Sequence, residues 1–239
     1  MKLEEFSKIF KESIQKINLK IDEIKINKFY KYMKLLIEWN EKINLTAITD
    51  PKEIIIKHFI DSLTVSKEIE NSSTIIDVGT GAGFPGIPLK IFDSSLNITL
   101  LDSLNKRTIF LKEVIKELDL NNIEVIHGRA EDYAHKKNYR ECYDYAISRA
   151  VAPLNILCEY LIPYVRVNGK MIAMKGSNAT EEILSSETAL TKLNANISKS
   201  NKVILPNESG ERYILIIEKT KKVSSVYPRK AGIPKKNPL

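Results

Sequence analysis

Cysteine is nearly absent from this chain: Cys142 and Cys158 are the only two in 239 residues. Their spacing fits neither a disulfide framework nor a redox or metal motif. Histidine is equally sparse, at three. His127 and His135 share no spacing with other metal-ligand residues, so no metal is expected. The sequence has no apolar run of the roughly 18 residues that a membrane-spanning helix needs. Met1 to Phe6 lacks the basic-then-apolar plan of a secretory leader, and no internal repeat or low-complexity linker is present. These absences predict a cytoplasmic protein. The remainder is ordinary for a globular chain, 43% hydrophobic and 28% charged. Its length suits one large α/β domain, with or without a helical extension.

Acid is the other absence, and it is local. From Lys219 to Leu239 there are seven basic residues and no Asp or Glu, which accounts for the whole net charge of +7. A neutral body with a basic, proline-interrupted end suggests contact with a polyanion, although a tail that only aids solubility has the same composition.

The most informative segment runs from Ile75 to Gly86. An apolar, β-branched stretch enters a glycine-rich turn, and a helical pattern follows from Ile87 to Phe92. Glycines allow positive φ and close backbone approach, so such a strand–turn–helix unit can cradle a ligand. Asp102 ends the next strand-like run, 21 residues after Gly81, where a carboxylate can accept hydrogen bonds from ribose hydroxyls. The spacing alone leaves the cofactor open. Gly81, Gly83 and Gly86 satisfy a dinucleotide pattern, while Gly79, Gly81 and Gly83 satisfy one typical of S-adenosylmethionine sites. Asp77 favours the second, since a carboxylate there can meet a cationic amino acid moiety but would repel a pyrophosphate.

Residues 1–70 read as helical. Phe29, Met33, Leu36 and Ile37 share one helix face. Asp50 is a helix cap, with Pro51 in the first turn and Glu53 at the capping-box position. From Ser73 the period changes, with strand-like runs at 74–78, 97–101, 123–127, 143–148 and 169–174. Helical patterns alternate with them, which implies a parallel sheet covered on both faces. After a polar helix at 179–194, the runs 197–205 and 213–217 flank turn residues and predict an antiparallel hairpin. A parallel sheet finished in that way suits a class I methyltransferase better than a nicotinamide dehydrogenase.

Further segments carry a specific likeness. They are Asn44 to Ile48, Lys57 to Leu63, Asp77 to Leu89, Leu100 to Arg107, Gly128 to Asp132, Ser148 to Ala152 and Tyr227 to Pro234. In these, from about residue 40 onward, the chain resembles the RsmG (GidB) family of bacterial methyltransferases that act on guanine N7 in 16S ribosomal RNA. The resemblance implies an α/β, Rossmann-like class I fold: a mostly parallel seven-stranded sheet with an antiparallel terminal hairpin and an N-terminal helical extension. The corresponding division is 1–70 for the extension, 71–218 for the methyltransferase domain and 219–239 for a basic tail contacting RNA.

The same resemblance implies S-adenosyl-L-methionine as cofactor, its methionine end near Gly79 and Phe84, its ribose near Asp102 and its adenine near Ala130 and Glu131. Arg149, after the fourth strand, is implied as a cofactor or RNA contact, and Arg229, Lys230, Lys235 and Lys236 as further RNA contacts. The expected partner is 16S rRNA, the small subunit or an assembly intermediate, met by a monomer. Some of these positions have a competing structural reading: a helix cap for Asp102, a first-turn acid for Glu131 and a salt bridge for Arg149. His58 reads equally as a satisfied structural histidine, and Cys158 as a core or near-core residue.

Guanine N7 carries a lone pair and no proton, so no general base is expected, and catalysis reduces to alignment and exclusion of water. Accordingly, Ser148-Arg149-Ala150 stands where enzymes that methylate amino groups carry an Asn/Asp-Pro-Pro-aromatic segment. A nicotinamide-dependent oxidoreductase, a small-molecule methyltransferase and a non-catalytic RNA-binding protein are the alternatives.

Overall fold

The computed structural model describes residues 1–239, except for the side chain of Glu208. Seven strands form one sheet: β1 (Thr74–Val78), β2 (Asn97–Asp102), β3 (Ile123–His127), β4 (Tyr143–Arg149), β5 (Val165–Lys175), β6 (Ala195–Ile204) and β7 (Glu211–Lys219). Their order is β3-β2-β1-β4-β5-β7-β6. All pairs are parallel except β5–β7 and β6–β7, which are antiparallel. The order reverses between β1 and β4, and a crevice opens at the carboxyl ends of strands at such a switch point.

Helical elements cover both faces: α1 (Leu3–Lys16), α2 (Glu23–Ile43), α3 (Pro51–Glu53), a π-helical stretch Ile54–Ile60 and α4 (Asp61–Leu63) precede the sheet. Within it come α5 (Gly86–Phe92), α6 (Asn105–Glu117), α7 (Ala130–Tyr133), α8 (Leu154–Leu161), α9 (Ala179–Leu184) and α10 (Glu187–Lys192), and α11 (Ile233–Lys236) follows it. Alternation along β1 feeds two cores. Ile75 packs with the N-terminal helices, whereas Ile76 and Val78 pack with α8.

The N-terminal layer is continuous with the first core. Asp22 caps α2 by accepting from the Lys25 amide at 2.8 Å. This sets Phe29, Tyr32, Met33 and Leu36 facing inward. Phe10, Phe29, Tyr32 and Phe84 all surround Phe59 with ring centroids 5.1–6.4 Å away. The Tyr32 hydroxyl donates to the Ala82 carbonyl inside the glycine turn. Asp50 caps α3 as expected, accepting from Lys52 and Glu53 amides at 2.9 and 3.0 Å. Glu53 does not complete a capping box and instead pairs with Lys57.

Two expectations change. The polar helix at 179–194 divides into α9 and α10, because Ser185 and Ser186 hydroxyls bond back to the Glu182 and Ile183 carbonyls. The basic tail is not loose: Lys219 is 1% exposed within β7 and pairs with Glu141 at 2.7 Å, and the chain beyond it folds against α7 and α8.

Phe59→Ala is expected to cost about 3–5 kcal/mol and Tyr32→Phe about 1 kcal/mol in denaturant unfolding. Helix and sheet signals should be lost together, because the helical layer and the sheet share one core.

Candidate cofactor site and adjoining groove

The glycine turn folds over the end of β2. Gly79 and Thr80 amides both donate to the Leu101 carbonyl, at 2.8 and 3.2 Å, and the Gly81 amide donates to Asp102 Oδ2 at 2.9 Å. Gly79 has φ +71°, and a Cβ there would meet Val151 Cγ2 at 2.6 Å. A side chain at Gly79 is therefore excluded both by backbone strain and by the close approach of the 150–152 segment.

Asp77, fully buried, holds the far end of the turn. Its Oδ2 accepts from Thr80 Oγ1 at 2.7 Å and from the Gly86 amide at 2.8 Å. A Cβ on Gly86 would lie 2.9 Å from that same oxygen. Asp77 Oδ1 is buried and has no hydrogen-bond partner among the described residues. Burial pushes the Asp77 carboxyl up to about 7, against the opposing pull of Thr80, Gly86 and Arg149. Its first role is thus to clamp the turn to α5, which its position in the sequence did not reveal.

A pocket of about 280 Å³ opens beside the turn, lined by Gly79, Asp102, Ala130, Glu131, Val151 and Tyr160 among others. Four of the residues expected at a cofactor lie together here. Asp102 is also tied locally: Oδ1 accepts from the Leu104 amide at 2.9 Å, and Arg107 approaches Oδ2 at 3.4 Å. Two lining residues, Val151 and Tyr160, are not among the expected contacts. Val151 lies within the Ser148–Ala152 segment of the family resemblance, whereas Tyr160 carries no sequence signal.

Phe84 and Arg149 lie elsewhere. Phe84 is 6% exposed, with its ring stacked on His58 at 4.5 Å and the Arg149 guanidinium 4.9 Å above it. Arg149 faces a second opening, a groove of about 610 Å³ lined by Lys57, His58, Asp61, Val151, Lys175 and Arg212 among others. Its Nη1 donates to Asp61 Oδ2 at 2.9 Å and to the Lys57 and His58 carbonyls at 3.1 and 3.3 Å. Its Nη2 lies 3.2 Å from His58 Nδ1. An arginine can only donate, so Nδ1 accepts, and the proton on Nε2 faces Thr46 Oγ1 at 2.8 Å. Burial first, then the Arg149 charge, lowers the His58 pKa to about 3 and keeps the ring neutral. Asp61, 2% exposed, also accepts from Arg212 Nε at 3.1 Å.

Among the expected RNA contacts, Lys230, Lys235 and Lys236 are exposed. Arg229 is not available in that way. Its Nε and Nη2 grip the carboxylate of Glu159 at 2.9 and 2.6 Å, and Glu159 is fully buried on α8. A buried carboxylate requires such a partner. Among the described residues, no group of three or more His, Cys, Asp or Glu could hold a metal ion.

A chain from Aquifex aeolicus described as a SAM-dependent methyltransferase is 17% identical, with a TM-score of 0.53, over 70% of this chain and 93% of that one. The TYW2 of M. jannaschii, solved with AdoMet, is 15% identical, with a TM-score of 0.51, over 68% of this chain and 79% of that one. These likenesses establish the fold. Closer relatives are named ribosomal RNA small subunit methyltransferase G. That of Alkaliphilus metalliredigens is 47% identical over 97% of this chain and 98% of its own length. That of Desulforamulus reducens is 49% identical over 96% of both, and one from Streptococcus pneumoniae is 46% identical over 97% of this chain and 99% of its own. Since the family model described as GidB, rRNA small subunit methyltransferase G, also matches residues 25–209, the chain belongs to that family.

Proposed function

We propose that the chain transfers a methyl group from S-adenosyl-L-methionine to N7 of a guanine in 16S ribosomal RNA, met as free RNA, small subunit or assembly intermediate. The observation that carries the reading is the meeting of two cavities at the sheet's switch point. A pocket with nucleoside-matching groups and a cationic groove share Val151 as their common wall. In this reading residues 71–218 form the catalytic domain, residues 1–70 support it, and 219–239 contribute to RNA contact.

The pocket's chemistry fits the cofactor. Asp102 and Glu131 offer carboxylate acceptors to hydroxyl and amino groups, while Ala130, Val151 and Tyr160 offer apolar surface. Asp77 is buried beneath the turn and outside the pocket's lining, so it supports the glycine turn from behind. When bound, S-adenosyl-L-methionine supplies an electrophilic methyl on a sulfonium.

The protein's own groups then align the acceptor and keep water out. The groove's acid–base groups are already engaged: His58 by Arg149, Asp61 by two guanidiniums, and Glu182 by Lys175 at 2.7 Å. That suits an acceptor nitrogen with no proton to lose. Arg149 holds the groove's edge, and its charge and those of Lys57 and Arg212 favour an RNA phosphate nearby. Lys230, Lys235 and Lys236 extend that attraction outside the groove, with Arg229 acting as their anchor on Glu159.

Three measurements test the reading. Borohydride–aniline cleavage of rRNA from cells lacking the gene should lose one 7-methylguanosine break that the wild-type gene restores. An unchanged break pattern refutes the RNA substrate. Asp102→Ala, which removes both the ligand acceptor and the tie to Gly81, should weaken S-adenosylhomocysteine binding at least about tenfold in calorimetry, as loss of a charged hydrogen bond implies.

The third test uses pH. Asp77 keeps its proton up to about 7 when folded, against 3.8 ordinarily. The folded state therefore binds more protons between these values, and stability contributed by this group falls as pH rises through that window. Unfolding of Asp77→Asn should lack this decline.

A further inference from the structure

The C-terminal segment lies beyond the span matched by the family model, which ends at residue 209, yet it is fastened at many points. Arg140 donates to the carbonyls of Tyr227, Val223 and Ser224 at 2.8, 3.0 and 3.0 Å. His135 Nε2 meets the Pro228 carbonyl at 2.8 Å. Glu159 takes the Arg229 backbone amide at 2.7 Å in addition to its guanidinium. Finally, the Gly232 amide donates to Glu131 Oε1 at 3.1 Å. The elements receiving the last two contacts, α8 and α7, are the ones that wall the pocket through Tyr160 and Glu131.

We propose that residues 223–236 form a strap that positions Glu131 for the nucleoside. The Gly232 amide donates to Oε1 and restrains the carboxylate, leaving Oε2, which has no donor among the described residues, for an amino or hydroxyl group of the ligand. Arg140 and the Arg229–Glu159 pair hold Gly232 in place. Gly232 has φ +86°, a conformation that suits glycine. The strap is therefore a positioning element acting through Glu131, and it rests on the reading of this pocket as the cofactor site.

A consequence is reciprocal coupling. A ligand bound more tightly when the strap is docked must itself favour docking, by the same factor. Lys230, Lys235 and Lys236 ride on the strap, so cofactor binding orders the lysines that face RNA. The cofactor-loaded protein is the form presented to the substrate.

Hydrogen exchange on the full-length wild-type chain tests this without altering the fold. With saturating S-adenosylhomocysteine, amides of 223–236 should exchange about tenfold more slowly, a coupling of ordinary size. Arg140→Ala, which takes the donor from the Tyr227, Val223 and Ser224 carbonyls, should raise the KM for S-adenosylmethionine about tenfold with kcat within about twofold. In a Glu131→Gln background the Arg140 change should add nothing. Strap exchange indifferent to the ligand, or losses that multiply in the double variant, would overturn the inference. If the wild-type chain fails to bind S-adenosylhomocysteine at all, the pocket reading falls, and the inference with it.

Discussion

The guanidinium of Arg149 joins parts of the chain that are far apart in sequence. It stands at the end of β4, yet its donors reach the Lys57 and His58 carbonyls, the Asp61 carboxylate and the His58 ring. A cation this enclosed is tolerable only with such partners. It adds to burial in keeping His58 neutral, shares Asp61 with Arg212 and lies over the face of Phe84. Two residues further on, Val151 is the wall that the pocket and the groove share.

Enzymes that move a methyl group to a lone pair need geometry more than proton traffic, and the arrangement is consistent with that demand. The groove's titratable side chains are locked in ion pairs or kept neutral by burial. Asp77, outside the groove and beneath the glycine turn, differs from them: it is a carboxyl burdened by desolvation and left with one unmatched oxygen among the described residues. Buried polar groups in this condition concentrate at functional sites.

Much of the scaffold was legible because its cause is local. Short, largely apolar runs mark β1, β2 and β4, which are buried on both faces of the parallel sheet, and glycines mark a turn whose backbone must approach other atoms closely. Order along the chain then gives the switch point, and with it the shared position of Gly79, Asp102, Ala130 and Glu131. What could not be read depends on partners distant in sequence. Arg229 and Lys230 look alike as charges, but only Arg229 faces Glu159. That acid sits on the buried face of a mostly apolar helix, Leu154–Leu161, and a carboxylate there needs a buried cation. Phe84 likewise belongs to the aromatic stack around Phe59 rather than to the pocket lining, and Tyr160 gains its place only from how α8 lies on the sheet.

The contact between Tyr32 and the Ala82 carbonyl has a bearing on modularity. The first two helices do not simply shield the sheet, because one of their side chains reaches into the ligand-cradling turn itself. Grafting this amino-terminal portion from a distant cousin, or exchanging it as a cassette, would disturb the turn even where the hybrid still folded. The helices and the turn are therefore constrained to change together.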